Sequence, residues 1–141
     1  MKVQKNTYEN SDFEKNPIRK DYKNKGFTRI LLGVGRTVYQ KDFFTLLDAM
    51  RLIINKFPDC ALLIAGEGKD KPDLIKYAKK TGISKNVFFL GNVSYKDISL
   101  YFNAADIFVL SSVYEGTPLV LIEASAASKP IVTTDLAGCE G

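Results

Sequence analysis

The sequence predicts an α/β fold in which about five parallel strands form a doubly wound sheet in the order 3-2-1-4-5. From residue 28 onward, short apolar runs alternate with longer amphipathic stretches. The runs are apolar at successive positions, which is typical of strands that a parallel sheet buries on both faces. With 141 residues, of which 45% are hydrophobic, the chain has the size of one domain with its own core.

The amphipathic stretches predict four helices that follow the strands. The strongest pattern comes after the first strand, where apolar residues between Phe43 and Phe57 recur at three- and four-residue spacing and mark one wide apolar face. The predicted strands are Arg29–Val34, Cys60–Ala65, 86–90, 106–110 and 130–133, and the predicted helices are 43–57, 71–81, 95–104 and 118–128.

Residues 1–27 differ from the rest of the chain and are expected to form a polar leader or linker that is partly disordered. This segment holds seven basic and four acidic residues, which accounts for most of the net charge of +4. Because the basic excess lies in the leader rather than on a face of the domain, nucleic-acid binding is not indicated. The domain itself is placed at residues 28–141.

The sequence offers little to bind a metal or to cross a membrane. It has no histidine, and Cys60 and Cys139 lack metal-ligand spacing, so we expect no metal site and two free thiols. No apolar run approaches the roughly 18 residues of a membrane span, and the amino terminus is too polar for a secretory signal. We therefore expect a cytoplasmic protein.

Two loops at the predicted carboxyl ends of strands carry the residues best suited to bind a ligand. After the first strand, Gly35 lets the backbone approach a ligand, and Arg36 and Lys41 supply positive charge. After the fourth strand, Thr117 is a good N-cap and Pro118 a good first residue of a helix. The free amides at such a helix start attract anions, so the two loops predict a phosphate-binding site.

The loops can act together only if the first and fourth strands are neighbours, as in the order 3-2-1-4-5. They would then surround a diphosphate without a metal ion. A nicotinamide-dependent oxidoreductase is an alternative, because Gly33 and Gly35 begin a dinucleotide-binding fingerprint. However, Val38 stands where that fingerprint needs glycine or alanine, which weakens the alternative.

Five segments between residues 28 and 138 together carry a family resemblance. They follow one another in a fixed order, and the last contains two glutamates, Glu115 and Glu123, eight positions apart. In this order they resemble the carboxyl-terminal, donor-binding domain of retaining GT-B glycosyltransferases of the family-four type, glycosyl transferases group 1. The resemblance implies a Rossmann-like domain that binds a UDP- or GDP-linked sugar. The segments are Gly35-Arg36 with Lys41, LLIAGEG at 62–68, VFFLG at 87–91, ADIFVLS at 105–111 and EGTPLVLIEA at 115–124.

The resemblance also implies a role for each matching residue. Glu115 would contact the donor sugar and is the catalytic candidate, whereas Glu123 would accept hydrogen bonds from the ribose hydroxyls. Arg36 and Lys41 would neutralise the donor diphosphate, with no cofactor besides the donor itself. The loop backbones would hold the rest of the donor, with Gly35, Gly116, Thr117 and Leu119 at the phosphates or the sugar and with Asn92 and Val93 at the base.

The sequence departs from the family in two respects. The family usually has glycine after the phosphate-binding lysine, where this chain has Asp42, which could instead cap the following helix. The 141 residues contain no counterpart of the amino-terminal acceptor domain or of the last elements of the donor domain. We therefore expect a domain that is incomplete at its carboxyl end and inactive alone, with the acceptor domain supplied covalently or as a partner subunit.

Two expectations concern the setting in which such a chain works. The resemblance implies transfer to a saccharide or lipid-linked acceptor in polysaccharide biosynthesis, so peripheral contact with the inner face of the membrane is expected to be weak and electrostatic. A non-catalytic nucleotide-binding module that acts as a subunit is an alternative function. Arg36, Lys41, Glu115 and Glu123 fit that alternative equally well.

Overall fold

The computed structural model describes residues 10–116 and 119–135, which form five strands and six helices. Within this part of the chain every predicted strand and helix is present, with bounds that differ by at most two residues from the prediction. Short 3-10 turns occupy Tyr39–Lys41 and Ser84–Asn86. The strands are β1 (Arg29–Val34), β2 (Cys60–Ala65), β3 (Val87–Gly91), β4 (Ile107–Leu110) and β5 (Ile131–Thr133); the helices are α1 (Asn10–Lys15), α2 (Pro17–Asn24), α3 (Phe43–Lys56), α4 (Lys71–Lys80), α5 (Tyr95–Ala104) and α6 (Leu119–Ala126).

The five strands form one parallel sheet in the order β3-β2-β1-β4-β5, which confirms the predicted order. Strand β1 is central and pairs along its whole length with β2, from Arg29 opposite Cys60 to Val34 opposite Ala65. Its other edge pairs with β4, where Leu31 lies opposite Ile107. The strand order therefore reverses between β1 and β4, and the carboxyl ends of these two strands lie side by side.

Helices cover both faces of the sheet because alternate strand residues point in opposite directions. On one face Leu62 and Ile64 pack against α3 and α4, for example against Met50 and Leu74. On the other face Leu63 belongs to a second cluster that is built with α2, α5 and α6. All six residues of β2 are buried, as a strand between two others and two helical layers should be. The second cluster includes Tyr22, Leu32, Phe102, Phe108 and Ala124.

Residues 16–27 pack against the domain, although their composition had suggested a solvated leader. Asn16 caps α2 by accepting from the amides of Ile18 and Arg19, and its side chain donates to the carbonyl of Leu100. Tyr22 is 5% exposed, and burial is the main cause that raises its pKa to about 12. Composition alone suggests a solvated segment, whereas the polar side chains of Asn16 and Arg19 form hydrogen bonds with the domain. Residues 1–9 lie outside the described part of the chain.

One of the two cysteines, Cys60, lies in the described part of the chain. Cys60 is a free, buried thiol whose pKa is raised to about 11, chiefly by burial and then by the charges of Asp59 and Asp106. Cys139 lies outside the described residues. Among the helices of residues 10–116 and 119–135, none has the length and apolar character needed to cross a bilayer.

Candidate functional site

The loops that follow β1 and β2 touch through their backbones at the carboxyl edge of the sheet. The amide of Gly35 donates to the carbonyl of Ala65 over 2.9 Å. The amide of Gly66 donates to the carbonyl of Gly91 over 2.8 Å. Gly66 has a φ of +140°, and a Cβ at this position would lie 1.8 Å from the Gly35 carbonyl oxygen. Only glycine allows this approach, so the β2 loop forms one wall of the site.

The loop after β4 is joined to the loop after β1 by three hydrogen bonds to backbone carbonyls, in addition to a side-chain ion pair. The hydroxyl of Ser111 donates to the carbonyl of Lys41 over 2.8 Å, and the amide of Val113 donates to that of Gln40 over 2.8 Å. The side-chain amide of Gln40 donates in turn to the carbonyl of Tyr114 over 3.2 Å. The two loops that the sequence marked for ligand binding are therefore fixed to each other, as the pairing of β1 with β4 requires.

Lys41 and Glu115 form an ion pair at this junction. The Lys41 Nζ lies 2.6 Å from Glu115 Oε1, and the same oxygen accepts a 2.6 Å hydrogen bond from the Ser112 hydroxyl. The side chains of Lys41 and Glu115 are 16% and 5% exposed. Burial by itself would raise the pKa of Glu115, but the hydrogen bonds from Lys41 and Ser112 and the charge of Lys41 lower it below its ordinary value. Glu115 is therefore a carboxylate at neutral pH.

Arg36 stands in a different environment from Lys41. It is exposed, and among the described residues its guanidinium has no ion-pair or hydrogen-bond partner. It lines a cleft of about 350 Å³ at the carboxyl edge of the sheet together with Gly35. A charged and unpaired guanidinium beside a concave surface is suited to bind an anion.

The cleft brings together five of the residues that the resemblance singled out. Gly35 and Arg36 come from the β1 loop, Asn92 and Val93 follow β3, and Glu123 projects from α6. Glu123 is half-buried, in the second turn of that helix. These positions are consistent with one elongated ligand that runs from Arg36 past the end of β3.

The remaining predicted site residues do not line this cleft. Lys41 and Glu115 lie next to it, since the Lys41 side chain passes over Gly35, where a Cβ would be 3.1 Å from Lys41 Cε. Gly116 is exposed in the loop before α6, and Leu119 is exposed as the first residue of that helix. Thr117, with the adjacent Pro118, lies outside the described residues, so the predicted N-cap and anion-binding turn are not described.

Asp42 caps α3, as its position before the helix suggested. Its carboxylate accepts from the amide and the hydroxyl of Thr45 over 3.3 and 2.6 Å. Asp42 has a φ of +44°, a left-handed conformation that glycine adopts most easily. This backbone conformation gives a physical reason for the glycine that the family usually has here. It also shows how aspartate is tolerated, because its side chain satisfies the first turn of the helix.

The sequence analysis gave no role to two residues that the structure places at the site, Glu67 and Ser112. Glu67 lines the cleft and pairs with Lys71 over 2.6 Å. It follows β2, so the rule that points to loops after β1 and β4 would also have pointed to it. Ser112 lies in the loop after β4 but received no role, because its contact with Glu115 depends on side-chain orientation. No group of three or more metal-binding side chains is assembled within residues 10–116 and 119–135.

Comparisons with known proteins show which family the chain resembles. The family described as "Glycosyl transferases group 1" matches residues 14–140. The chain is 36% identical over 104 residues to a protein of Haemophilus influenzae named "Uncharacterized glycosyltransferase", which covers 74% of this chain and 29% of that protein. It is 35% identical over 108 residues to the glycogen synthase of Mycobacterium tuberculosis, which covers 77% of this chain and 26% of the synthase.

A solved structure is also similar in fold to this chain. A mutant of S. aureus TarM in complex with fondaparinux, alpha-GlcNAc-glycerol and UDP superposes with a TM-score of 0.73 at 27% identity, covering 77% of this chain and 22% of TarM. The chain thus spans less than a third of the length of each of these relatives. The family match extends over nearly the whole chain, and the sheet order is that of the Rossmann-like GT-B domain which the resemblance had implied. The chain therefore belongs to the glycosyl transferases group 1 family.

Proposed function

We propose that this chain is the donor-binding part of a retaining glycosyltransferase, which binds a nucleotide-diphosphate sugar without a metal ion. The observation that carries the proposal is the junction of the β1 and β4 loops. There a free Arg36 and the pair formed by Lys41 and Glu115 lie at one edge of the sheet. Family membership and the UDP in the TarM structure support a nucleotide-linked donor. The acceptor is proposed to be a saccharide or a lipid-linked sugar.

The proposed roles follow the charges and positions of the side chains. Arg36 faces the cleft and would bind the diphosphate, with Lys41 as the second cation. Glu115 would accept hydrogen bonds from the donor sugar, which its ionised state permits. Glu123 would bind the ribose, and the Asn92-Val93 turn would contact the base, since both line the same cleft as Arg36. Gly35, Gly116, Thr117 and Leu119 remain the proposed backbone contacts.

Transfer is proposed to need more than this chain. The relatives are three to five times longer than the segment they share with it, so an acceptor domain or partner subunit would supply the rest of the active site. An active site of two halves reacts only when both halves hold their ligands in register and exclude water. Cytoplasmic location and weak contact with an anionic membrane surface remain predictions.

Titration calorimetry of the 141-residue chain with UDP, GDP and their sugar conjugates, in the presence of a chelator, tests the proposal. We expect weak binding of one of the two nucleotides that persists without divalent metal and weakens as salt rises, because the diphosphate contacts are ionic. A strict requirement for Mg²⁺ or Mn²⁺ would contradict the metal-free part. Failure to bind either nucleotide or its conjugates would contradict the proposal as a whole.

A pair of arginine variants makes the experiment specific. Arg36→Ala should weaken nucleotide binding by about 1–3 kcal/mol, the cost of a lost charge-assisted contact. Arg51→Ala is the matched control, because Arg51 is also exposed but lies on α3, where it is 3.8 Å from Asp48. The two variants should have the same charge and similar stability, so equal affinities would place the diphosphate away from Arg36.

A further inference from the structure

Ser112 is held rigidly at the point where the two site loops join. It is 1% exposed, and its hydroxyl donates to Glu115 Oε1 over 2.6 Å. Its own carbonyl accepts a 2.6 Å hydrogen bond from the hydroxyl of Thr134, just beyond β5. The amide of Thr134 in turn donates to the carbonyl of Leu110, at the end of β4. Ser112 is thus fixed by the sheet and not only by its own loop.

Glu115 Oε1 has two donors of unequal mobility. One is the ammonium of Lys41, which ends a long and flexible side chain with three donor hydrogens. The other is the hydroxyl of Ser112, whose oxygen can move relative to the fixed backbone only by rotation about the Cα–Cβ bond. A diphosphate would compete with Glu115 for the Lys41 ammonium, because it offers more negative charge than one carboxylate. The carboxylate would then lose or share its flexible partner and keep its fixed one.

We propose that Ser112 is a positioning residue, which keeps the Glu115 carboxylate in place for the donor sugar while Lys41 turns to the diphosphate. This inference rests on the proposed function, since it concerns how the same site holds its donor. It assigns to Ser112 a role that a simple connection between loops would not require. Ser111, the adjacent serine, makes such a connection, because its hydroxyl bonds the carbonyl of Lys41 and not a carboxylate.

The first test measures how much the sugar adds to binding. For the wild-type chain and for Ser112→Ala, calorimetry gives the ratio of the dissociation constant of the nucleotide to that of its sugar conjugate. Ser112→Ala should lower this ratio by about ten-fold, as expected when a charged group loses its orientation. Ser112→Thr keeps the hydroxyl and should restore the ratio. Ser111→Ala should change both constants by the same factor and leave the ratio as it is.

The second test needs no ligand. The pKa of Glu115 is measured by carboxyl ¹³C NMR in the free chain, with the signal assigned by its absence in Glu115→Gln. A hydroxyl that donates to a carboxylate stabilises its charged form, so Ser112→Ala should raise this pKa and Ser111→Ala should not. An unchanged pKa in Ser112→Ala, or an equal rise in Ser111→Ala, would overturn the inference.

The two tests separate this inference from the proposed function. If the wild-type chain binds no nucleotide, the proposed function fails and the donor-positioning role fails with it, whatever the NMR titration shows. If the wild-type chain binds the donor and Ser112→Ala leaves the ratio unchanged, the proposed function stands and only the inference fails. A lower ratio together with a raised pKa of Glu115 supports both.

Discussion

At the scale of single residues, two cations of one loop have different environments. The sequence suggested the same role for Arg36 and Lys41, as ligands of a diphosphate. In the structure Arg36 is exposed and unpaired among the described residues, whereas Lys41 is paired with the nearly buried Glu115. Lys41 therefore stabilises the ligand-free chain through its ion pair with Glu115, in addition to any contact with a ligand. Alanine substitutions of Arg36 and of Lys41 should therefore have different effects on the free energy of unfolding.

We expect Lys41→Ala to lower the free energy of unfolding by about 1–3 kcal/mol near pH 7, because it leaves a buried carboxylate without its countercharge. The pKa of Glu115 is lowered in the folded chain, so its pairing contributes stability above the pKa of the unfolded chain. That contribution is lost as the pH falls through the folded pKa. The loss caused by Lys41→Ala should therefore shrink on acidification below about pH 4.5. Urea denaturation at neutral and acidic pH measures both values.

Arg36→Ala serves as the control for this prediction. It removes a charge from the same loop but no partner of a buried group, so its effect on unfolding should stay within about 0.5 kcal/mol at either pH. Equal losses for Arg36→Ala and Lys41→Ala would mean that the ion pair adds nothing to stability. A loss for Lys41→Ala that grows on acidification would contradict the assigned charge of Glu115.

At the scale of elements, the loops at the carboxyl edge are set by how closely their backbones approach. Gly35 and Gly66 meet where the β1 and β2 loops cross, and no side chain would fit between them. Asp42 shows the opposite solution, since it takes a left-handed conformation and uses its side chain to cap α3. The strands and helices thus place the loops at the site, and the backbone conformations of single residues set how closely these loops approach each other.

Gly66→Ala should destabilise the chain by about 3 kcal/mol or more, because it combines a strained backbone with a steric clash against the Gly35 carbonyl. Gly82→Ala is the matched control, since Gly82 also has a positive φ, of +75°, but no atom within 4 Å of the added Cβ. Only the conformational cost of about 1–2 kcal/mol should remain there. Thermal unfolding compares the two, and similar losses would show that the close approach is not tight.

At the scale of the whole molecule, residues 16–27 are part of the domain. The Arg19 side chain is 11% exposed and reaches three groups of the domain. Its guanidinium donates to the carbonyl of Ala104 over 3.0 Å, to Asp106 Oδ2 over 2.9 Å and to the carbonyl of Thr28 over 3.1 Å. It also lies 3.8 Å from the centre of the Phe13 ring. This one side chain connects α2 to the start of β1 and to the segment before β4.

Arg19→Ala should therefore lower the free energy of unfolding by about 2 kcal/mol, since several charge-assisted hydrogen bonds are lost together. Lys20→Ala is its control, because Lys20 has the same charge one position later and is exposed. That change should cost no more than about 0.5 kcal/mol. Chemical denaturation measures the free energy of unfolding of both variants. Equal, small losses would mean that the Arg19 contacts add little to stability and that residues 16–27 behave as a linker.

From residue 28 onward the sequence by itself determined the elements, their order and the edge of the sheet that carries the candidate site, whereas it did not predict α1 and α2. Apolar runs and helical periodicity are local signals, and the topological rule for doubly wound sheets places ligands between β1 and β4. The composition of residues 16–27 counts charges, and it does not show that the Arg19 side chain packs against the domain.

Only the tertiary structure decided which side chains meet at that edge. Lys41 and Glu115 are 74 positions apart, and the pair between them depends on two loop paths and two rotamers. The same holds for the backbone approach of Gly35 and Gly66 and for the fixed position of Ser112. Local propensity contains no information on such contacts, because they form only when distant segments are packed against one sheet.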